Sequence, residues 1–356
     1  MWKKAGISGV ALIVAFGLGE VVIRAVDPPL LWEDGRVILT SVGIVLDESG
    51  SVRYPPNRQV RSILLSDDGV DFDVRYATND HGLIDHRDYG TNLGVSPSWA
   101  FVGDSFAAGV EGGEPWIPKL RDTYDLEIYN LGIGATGVLH FARILASKAE
   151  TLAFDDIVII AISDDFFRPL WTPLEVGDEI WICLDGEDPS TCRERRPIAY
   201  IIDPELSDSA VLAHGEAVSL RAGGARTPSK RVVQFLKNSR LLLFTKRLAD
   251  AAGERRALRT AELVGNLAAL ETIRSDFPEA NIRMIQVPDK HEARRGRYDF
   301  DASEEVRGRG IEYFDALNGC TWPPSFFHPR DRHLNAIGYD ALAECVAEYL
   351  DLSIDG

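Results

Sequence analysis

Apolar runs of four to seven residues recur from Trp99 onward, separated by longer stretches whose apolar positions repeat with helical spacing. Trp99-Ala100-Phe101-Val102, Leu126 to Leu131, Ile157 to Ile162 and Asn281 to Val287 predict four strands, with a shorter one near Ile311-Glu312-Tyr313-Phe314. Between and after them, helical spacing predicts helices over Trp116 to Tyr124, Val138 to Thr151, roughly Lys230 to Ala252, Arg256 to Phe277, and Ala336 to Leu350. Such alternation predicts an α/β fold, a three-layer α/β/α sandwich with a mainly parallel central sheet. Ligands then sit at the carboxyl ends of the strands. Gly103 to Phe106, Gly132 to Gly137 and Ser163 to Phe166 each follow such an end, so they are expected to share one edge of the sheet.

The chain before Trp99 has a different pattern. Short strands and turns are expected over 28–95, as in Gly35-Arg36-Val37-Ile38-Leu39-Thr40 and Val70-Asp71-Phe72-Asp73-Val74, giving a β-rich lead-in that packs on the main domain at 96–356. That domain carries an insertion at about 171–228, rich in Pro, Gly, Asp and Arg. Trp171 and Trp181 flank its start; they fit packing of the insertion better than an aromatic lid for a sugar ring. No internal repeat is evident.

Residues 1–27 read as a signal anchor. Lys3 and Lys4 precede an apolar run from Ala5 to Gly19, which resumes after Glu20 with Val21-Val22-Ile23. This approaches the roughly 20 residues of a transmembrane helix, and the lysines favour a cytoplasmic N-terminus with an exported body. A cleaved signal peptide is the rival reading, but no small-x-small site precedes Asp27 and there is no lipobox cysteine. The expected location is thus a bacterial cytoplasmic membrane, single-pass, with the main domain outside.

Four cysteines suit export. Cys183 and Cys192 bracket a short polar loop, while Cys320 and Cys345 both lie in the C-terminal segment; local pairing is favoured, although Cys345 also fits a buried thiol on an apolar helix face. No spacing suggests a metal site, and no cofactor is expected. A formal charge of −17 argues against a nucleic-acid partner.

Candidate chemistry lies in two phrases. Gly103-Asp104-Ser105 ends a strand in a tight turn, and Asp331-Arg332-His333 puts a carboxylate two residues before a histidine, with Asn335 placed to cap the final helix. Together they supply a nucleophile, a base and an acid to orient the base, the minimum set for acyl transfer. Ala107 stands where a Gly-x-Ser-x-Gly elbow needs its last glycine, so this is not that motif. His328 is a nearby competitor for the base, but it lies between Phe327 and Pro329 with no helix start; the remaining histidines fit surface or packing roles.

In order along the chain, Gly103-Asp104-Ser105, Asn130-Leu131-Gly132-Ile133-Gly134, Asp164-Asp165-Phe166 and Asp331-Arg332-His333 resemble the blocks of the SGNH (GDSL-type) hydrolase superfamily. Thr78-Asn79-Asp80-His81-Gly82-Leu83 resembles a segment that precedes the first block in membrane-anchored members, and Val287-Pro288-Asp289-Lys290 resembles one in alginate O-acetyltransferase-like proteins. The resemblance covers about 76–166 and 281–350. It implies a flavodoxin-like SGNH fold with Ser105 as nucleophile, His333 as base and Asp331 as its orienting acid. It also implies oxyanion donors at Ser105, Ala135 and Asp164, while Lys290 fits either substrate contact or a solvated loop lysine.

Two positions depart from the family. Ala135 replaces a glycine whose amide donates, a small loss if its backbone takes the required angles. Asp164 replaces an asparagine, and an ionised carboxylate would repel the developing oxyanion. Three explanations stay open: Asp164 is held protonated by burial, Ser163 supplies a hydroxyl instead, or the site is weak or retired. Asp165 fits the strand-end turn rather than the reaction. The resemblance implies an esterase acting on ester-linked acyl groups, chiefly acetyl, on cell-envelope carbohydrate. The alternatives are an O-acetyltransferase using the same site, or a non-catalytic polysaccharide-binding or scaffold protein with envelope assembly partners.

Overall fold

The computed structural model describes residues 15, 16, 18–22, 36–66, 69–91, 98–184, 192, 195–223, 241, 242, 245 and 255–352. The chain divides into two units: Met1–Val37 with Ser207–Leu258, and Ile38–Leu206 with Arg259–Gly356. In the first, residues 208–223 form a helix and the Glu20 carboxylate accepts the Leu241 amide at 3.0 Å. Most of the expected signal anchor, and most of the helix expected near Lys230 to Ala252, lie outside the described residues. Among the described residues, no helix is long and apolar enough to cross a membrane.

The second unit holds two large sheets. Its strands are β1 (Val37–Thr40), β2 (Val45–Leu46), β3 (Val52–Arg53), β4 (Arg58–Ser66), β5 (Gly69–Thr78), β6 (Ser98–Gly103) and β7 (Glu127–Gly132). They continue as β8 (Asp156–Ala161), β9 (Thr172–Val176), β10 (Glu179–Cys183), β11 (Arg195–Ile201), β12 (Asn281–Gln286) and β13 (Glu312–Asp315). Among the described residues the helices include α1 (Ser105–Ala108), α2 (Trp116–Tyr124), α3 (Val138–Lys148), α4 (Asp208–Gly223, in the first unit), α5 (Arg255–Asp276), α6 (Lys290–Arg295), α7 (Ser303–Arg307), α8 (Ala316–Gly319) and α9 (Ala336–Tyr349).

β6 to β8, β12 and β13 form a parallel sheet in the order β13-β12-β8-β6-β7. Alternate side chains enter two separate cores. Phe101, Val158, Ile160 and Ile285 meet Trp116, Ile117 and Leu120 of α2 and Leu342 and Val346 of α9. Ala100, Val102, Ile157, Ile159 and Met284 meet Phe141 and Ile144 of α3 and Leu270 and Ile273 of α5. Helices therefore cover both faces, which is why these strands are apolar throughout rather than alternating. Each such fully buried Ile, Leu or Phe contributes roughly 1.5–3 kcal/mol.

Chain order reverses at β6, whose neighbours are the next two strands of this sheet, β7 and β8. A crevice opens at the carboxyl end of such a strand. Gly103 pairs with Gly132 and Ile160, and Ala161 with Gln286, so the expected loops do share this edge. A Cβ on Gly132 would lie 2.3 Å from the Ala108 amide nitrogen, so only glycine lets α1 close over the end of β7.

The lead-in and the insertion are not separate additions. β9, β10 and β11, all from the expected insertion, join β1, β4 and β5 in one six-stranded sheet, β5-β4-β1-β11-β10-β9, with β1 and β11 parallel. Local strand propensity does not encode a partner about 160 residues away, which is why the sequence divided what the fold unites. Disulfides join Cys183 to Cys192 and Cys320 to Cys345, the local pairing.

Candidate active site

Asp104 caps α1 by accepting the Phe106 amide at 2.8 Å, and this turn presents Ser105 as the first helical residue, 8% exposed. Its amide has no intrahelical acceptor at that position. The Ser105 hydroxyl lies 2.8 Å from His333 Nε2 and 3.3 Å from Asp104 Oδ2. His333 Nδ1 lies 2.5 Å from Asp331 Oδ1, which also accepts the His333 amide at 2.9 Å. A neutral imidazole with its proton on Nδ1 donates to Asp331 and leaves Nε2 to accept from Ser105. Burial pulls the imidazole pKa down, but the Asp331 and Glu111 carboxylates outweigh it, and His333 is pushed up to about 9.

The loop carrying the histidine is tied at several points. The His328 amide donates to the His333 carbonyl (3.1 Å), the Asn335 amide to the Phe326 carbonyl (2.8 Å), and Asn335 Oδ1 caps α9 through the Gly338 amide (3.1 Å). Lys290 belongs to this scaffold. Its ammonium is buried and donates to the His328 and Pro329 carbonyls at 2.6 and 2.7 Å, in place of the substrate contact or solvated loop position expected for it. The spacing after β12 located the residue, but nothing in it revealed which carbonyls lie opposite. His328 is no rival base, because its Nε2 meets the Glu111 carbonyl at 2.9 Å.

Ala135 takes φ +64°, the left-handed region that favours glycine and costs an alanine roughly 1–2 kcal/mol. The surrounding contacts hold it there. Trp171 Nε1 donates to the Ala135 carbonyl at 2.9 Å, the Thr136 hydroxyl to the Ile133 carbonyl at 2.6 Å, and the Gly134 amide to the Tyr54 hydroxyl at 3.3 Å. The Ile133 amide donates to the Gly103 carbonyl at 3.0 Å, joining this loop to the serine turn. Trp171 is buried against it, which excludes a lid role for that ring.

Asp164 does not fit burial as a protonated donor: its side chain is 44% exposed and lies 2.5 Å from Arg332 Nη1. Nor is Ser163 free to replace it, because its hydroxyl donates to the Phe300 carbonyl (3.0 Å) and accepts from Gln286 Nε2 (3.2 Å). Of the expected site residues, Ser105, His333 and Asp331 are joined by hydrogen bonds. Ala135 and Asp164 occupy neighbouring strand-end loops, with Asp164 held by the arginine of the Asp331-Arg332-His333 phrase. Asp165 accepts the Ile162 amide at 3.0 Å and so closes the turn after β8, as expected.

Two supporting residues gave no sequence signal. Arg168 Nη1 donates to Asp104 Oδ2 (2.9 Å), Asp165 Oδ1 (2.7 Å) and the Thr136 carbonyl (2.6 Å), binding three strand-end loops together. Both carboxylates are fully buried and the arginine side chain is 18% exposed. The second is His140 on α3. Its Nδ1 accepts the Gly137 amide at 3.3 Å, and its Nε2 lies 3.2 Å from the Trp171 carbonyl.

Burial lowers the His140 pKa to about 4, from 6.5. The unfolded chain binds a proton there that the folded chain refuses, so stability falls as pH drops from about 6.5 towards 4. The span corresponds to up to about 3 kcal/mol. Urea midpoints between pH 7 and pH 4.5 should fall less in His140→Gln than in the parent protein; equal slopes would remove His140 as the cause.

No group of His, Cys, Asp and Glu side chains among the described residues could hold a metal ion. No family model matches the chain, and no curated protein matches it. Among solved structures it is similar to a protein from Streptococcus pneumonia whose name refers to platelet activating factor. The two share 12% identity over 72% of this chain and 85% of that one, at a TM-score of 0.29. A likeness of that size carries no argument about this chain.

Proposed function

We propose that the protein is a serine hydrolase of SGNH type, acting on ester-linked acyl groups. The observation that carries this reading is the continuous relay Ser105–His333–Asp331, at 2.8 and 2.5 Å, at the carboxyl end of the strand where the sheet order reverses. Ser105 Oγ attacks the ester carbonyl while His333 Nε2 takes its proton. The imidazolium then protonates the departing alkoxide, leaving an acyl-Ser105. Water, deprotonated by His333, attacks that ester and regenerates the serine. The Ser105 and Ala135 amides are the proposed oxyanion donors. Arg332 offsets the charge of Asp164, which supports an active rather than a retired site. We place acetylated envelope carbohydrate as the substrate and an anchored, exported domain as the setting; the basic-then-apolar N-terminus and the two disulfides support the latter.

An active-site fluorophosphonate tests the reading. It should label the protein once, at the peptide containing Ser105, and block release of p-nitrophenol from p-nitrophenyl acetate. Absence of labelling, or labelling elsewhere with turnover intact, would overturn it. In the same assay Asp164→Asn should raise turnover by restoring an amide donor.

A further inference from the structure

The triad leaves one buried carboxylate next to it unexplained. Glu111 sits in the short turn Val110–Gly112 that follows α1, 8% exposed, with Oε1 4.0 Å from His333 Nε2. This is the nitrogen that faces Ser105, on the side of the ring opposite Asp331. Tyr339 of α9 holds the carboxylate in place: its hydroxyl is 3.1 Å from Glu111 Oε2 and 3.3 Å from the Ser105 carbonyl. Packing fixes the turn as well, since a Cβ on Gly112 would come within 2.6 Å of the Tyr339 ring. A turn that only needed to connect α1 to α2 would not bury a glutamate beside an imidazole. An isolated buried carboxylate is costly unless a cation or hydrogen bond compensates it.

We propose that Glu111 is a positioning residue for the Ser105–His333 pair: a second carboxylate that stabilises the imidazolium from its Nε2 side and sets the pH at which His333 becomes a base. This deepens the acyl-transfer reading and rests on it. The doubly protonated ring lies between two carboxylates, Asp331 at Nδ1 and Glu111 near Nε2. Below its pKa the ring cannot accept the serine proton. Above it, the same charges favour the imidazolium that forms in the transition state, so one device costs activity at low pH and supplies base strength at high pH.

The other ionisable groups around the pair are consistent with this assignment. Arg332, on the histidine's own loop, opposes the imidazolium charge, and His328 does so when protonated. From the neighbouring elements, Asp331 and the buried phenols of Tyr54, Tyr76 and Tyr339 interact electrostatically with Glu111, and Asp104 with Tyr339. Burial pushes the Glu111 carboxyl up, while His333 pulls it back down, the mutual stabilisation expected of an ion pair.

The experiment is an imidazole titration by NMR on the full chain with labelled histidine, His333 being assigned by its loss in His333→Gln. The parent His333 should titrate near pH 9. Glu111→Gln keeps an acceptor for Tyr339 but removes the charge, and should lower that midpoint by about one unit or more. The acidic limb of kcat/KM should move by the same amount, so that relative to its own plateau the variant is about tenfold more active on that limb. Glu111→Ala, which removes the same charge without asking a new side chain to fill its place, should move both in the same direction, and serves if Glu111→Gln fails to fold. A His333 midpoint unchanged by both variants would overturn the inference even where Ser105 turns over. A shifted midpoint without any Ser105-dependent turnover would uphold the ion pair and sink the hydrolase reading instead.

Discussion

Asp331→Asn is expected to cut kcat by about 10⁴ while leaving the fold intact. Asp331 accepts both the ring Nδ1–H and the backbone amide of His333 through one oxygen, so an asparagine fits the same space. The amide can, however, turn its NH₂ towards Nδ1. The imidazole then keeps its proton on Nε2, facing Ser105, and cannot accept the serine proton. Loss of the carboxylate also lowers the imidazole pKa, since Asp331 is the largest influence holding it up. The acidic limb of the rate profile should therefore shift down as the plateau collapses. Single-turnover acylation with p-nitrophenyl acetate, beside a melting curve within a few degrees of the parent, checks both parts. A loss below tenfold would mean that another group orients His333.

Arg168→Leu carries the largest expected loss of stability, about 3–5 kcal/mol, or on the order of 10 °C in melting temperature. It leaves Asp104 and Asp165 buried together without their shared cation. Burial, with Asp104 beside it, already pushes the Asp165 carboxyl well above the usual carboxylate range despite the pull of Arg168. A group whose folded pKa is raised favours folding at low pH and loses that contribution as pH rises through the folded value. Without Arg168 the rise is greater, so the variant should be most fragile at neutral and alkaline pH and should recover towards pH 5. Denaturant melts at pH 5 and pH 8 give the comparison. A pH-independent loss would point to lost packing instead of stranded charge. Because Arg168 also holds the Thr136 carbonyl, the Ala135 turn should loosen with it.

The parallel sheet was legible because its strands bury both faces and so appear as unbroken apolar runs. Trp116–Tyr124 begins and ends at the expected residues, and the last helix is one residue shorter than expected. Long-range pairing was not legible. Nothing local in Thr172–Val176 or Arg195–Ile201 encodes a shared sheet with the lead-in. The same limit applied at the site. Ser105, His333 and Asp331 lie in short phrases of distinctive residue type, and hydrogen bonds join them. Glu111 and Arg168 are single charges in ordinary surroundings, and only the folded chain brings each to its partner. Lys290 shows the converse: a residue visible in sequence at the right sheet edge, whose charge serves backbone carbonyls.

Ser105 and its histidine are 228 residues apart. At translation rates of about 5–20 residues per second, roughly 10–50 s separate the emergence of the proposed nucleophile from that of its proposed base. Throughout that interval the growing chain carries a serine that is chemically ordinary. On the proposed hydrolase reading the C-terminal segment is a completion check: a chain cut short by stalling or proteolysis before His333 lacks the proposed base, and an unfinished molecule does not attack esters it meets on the way.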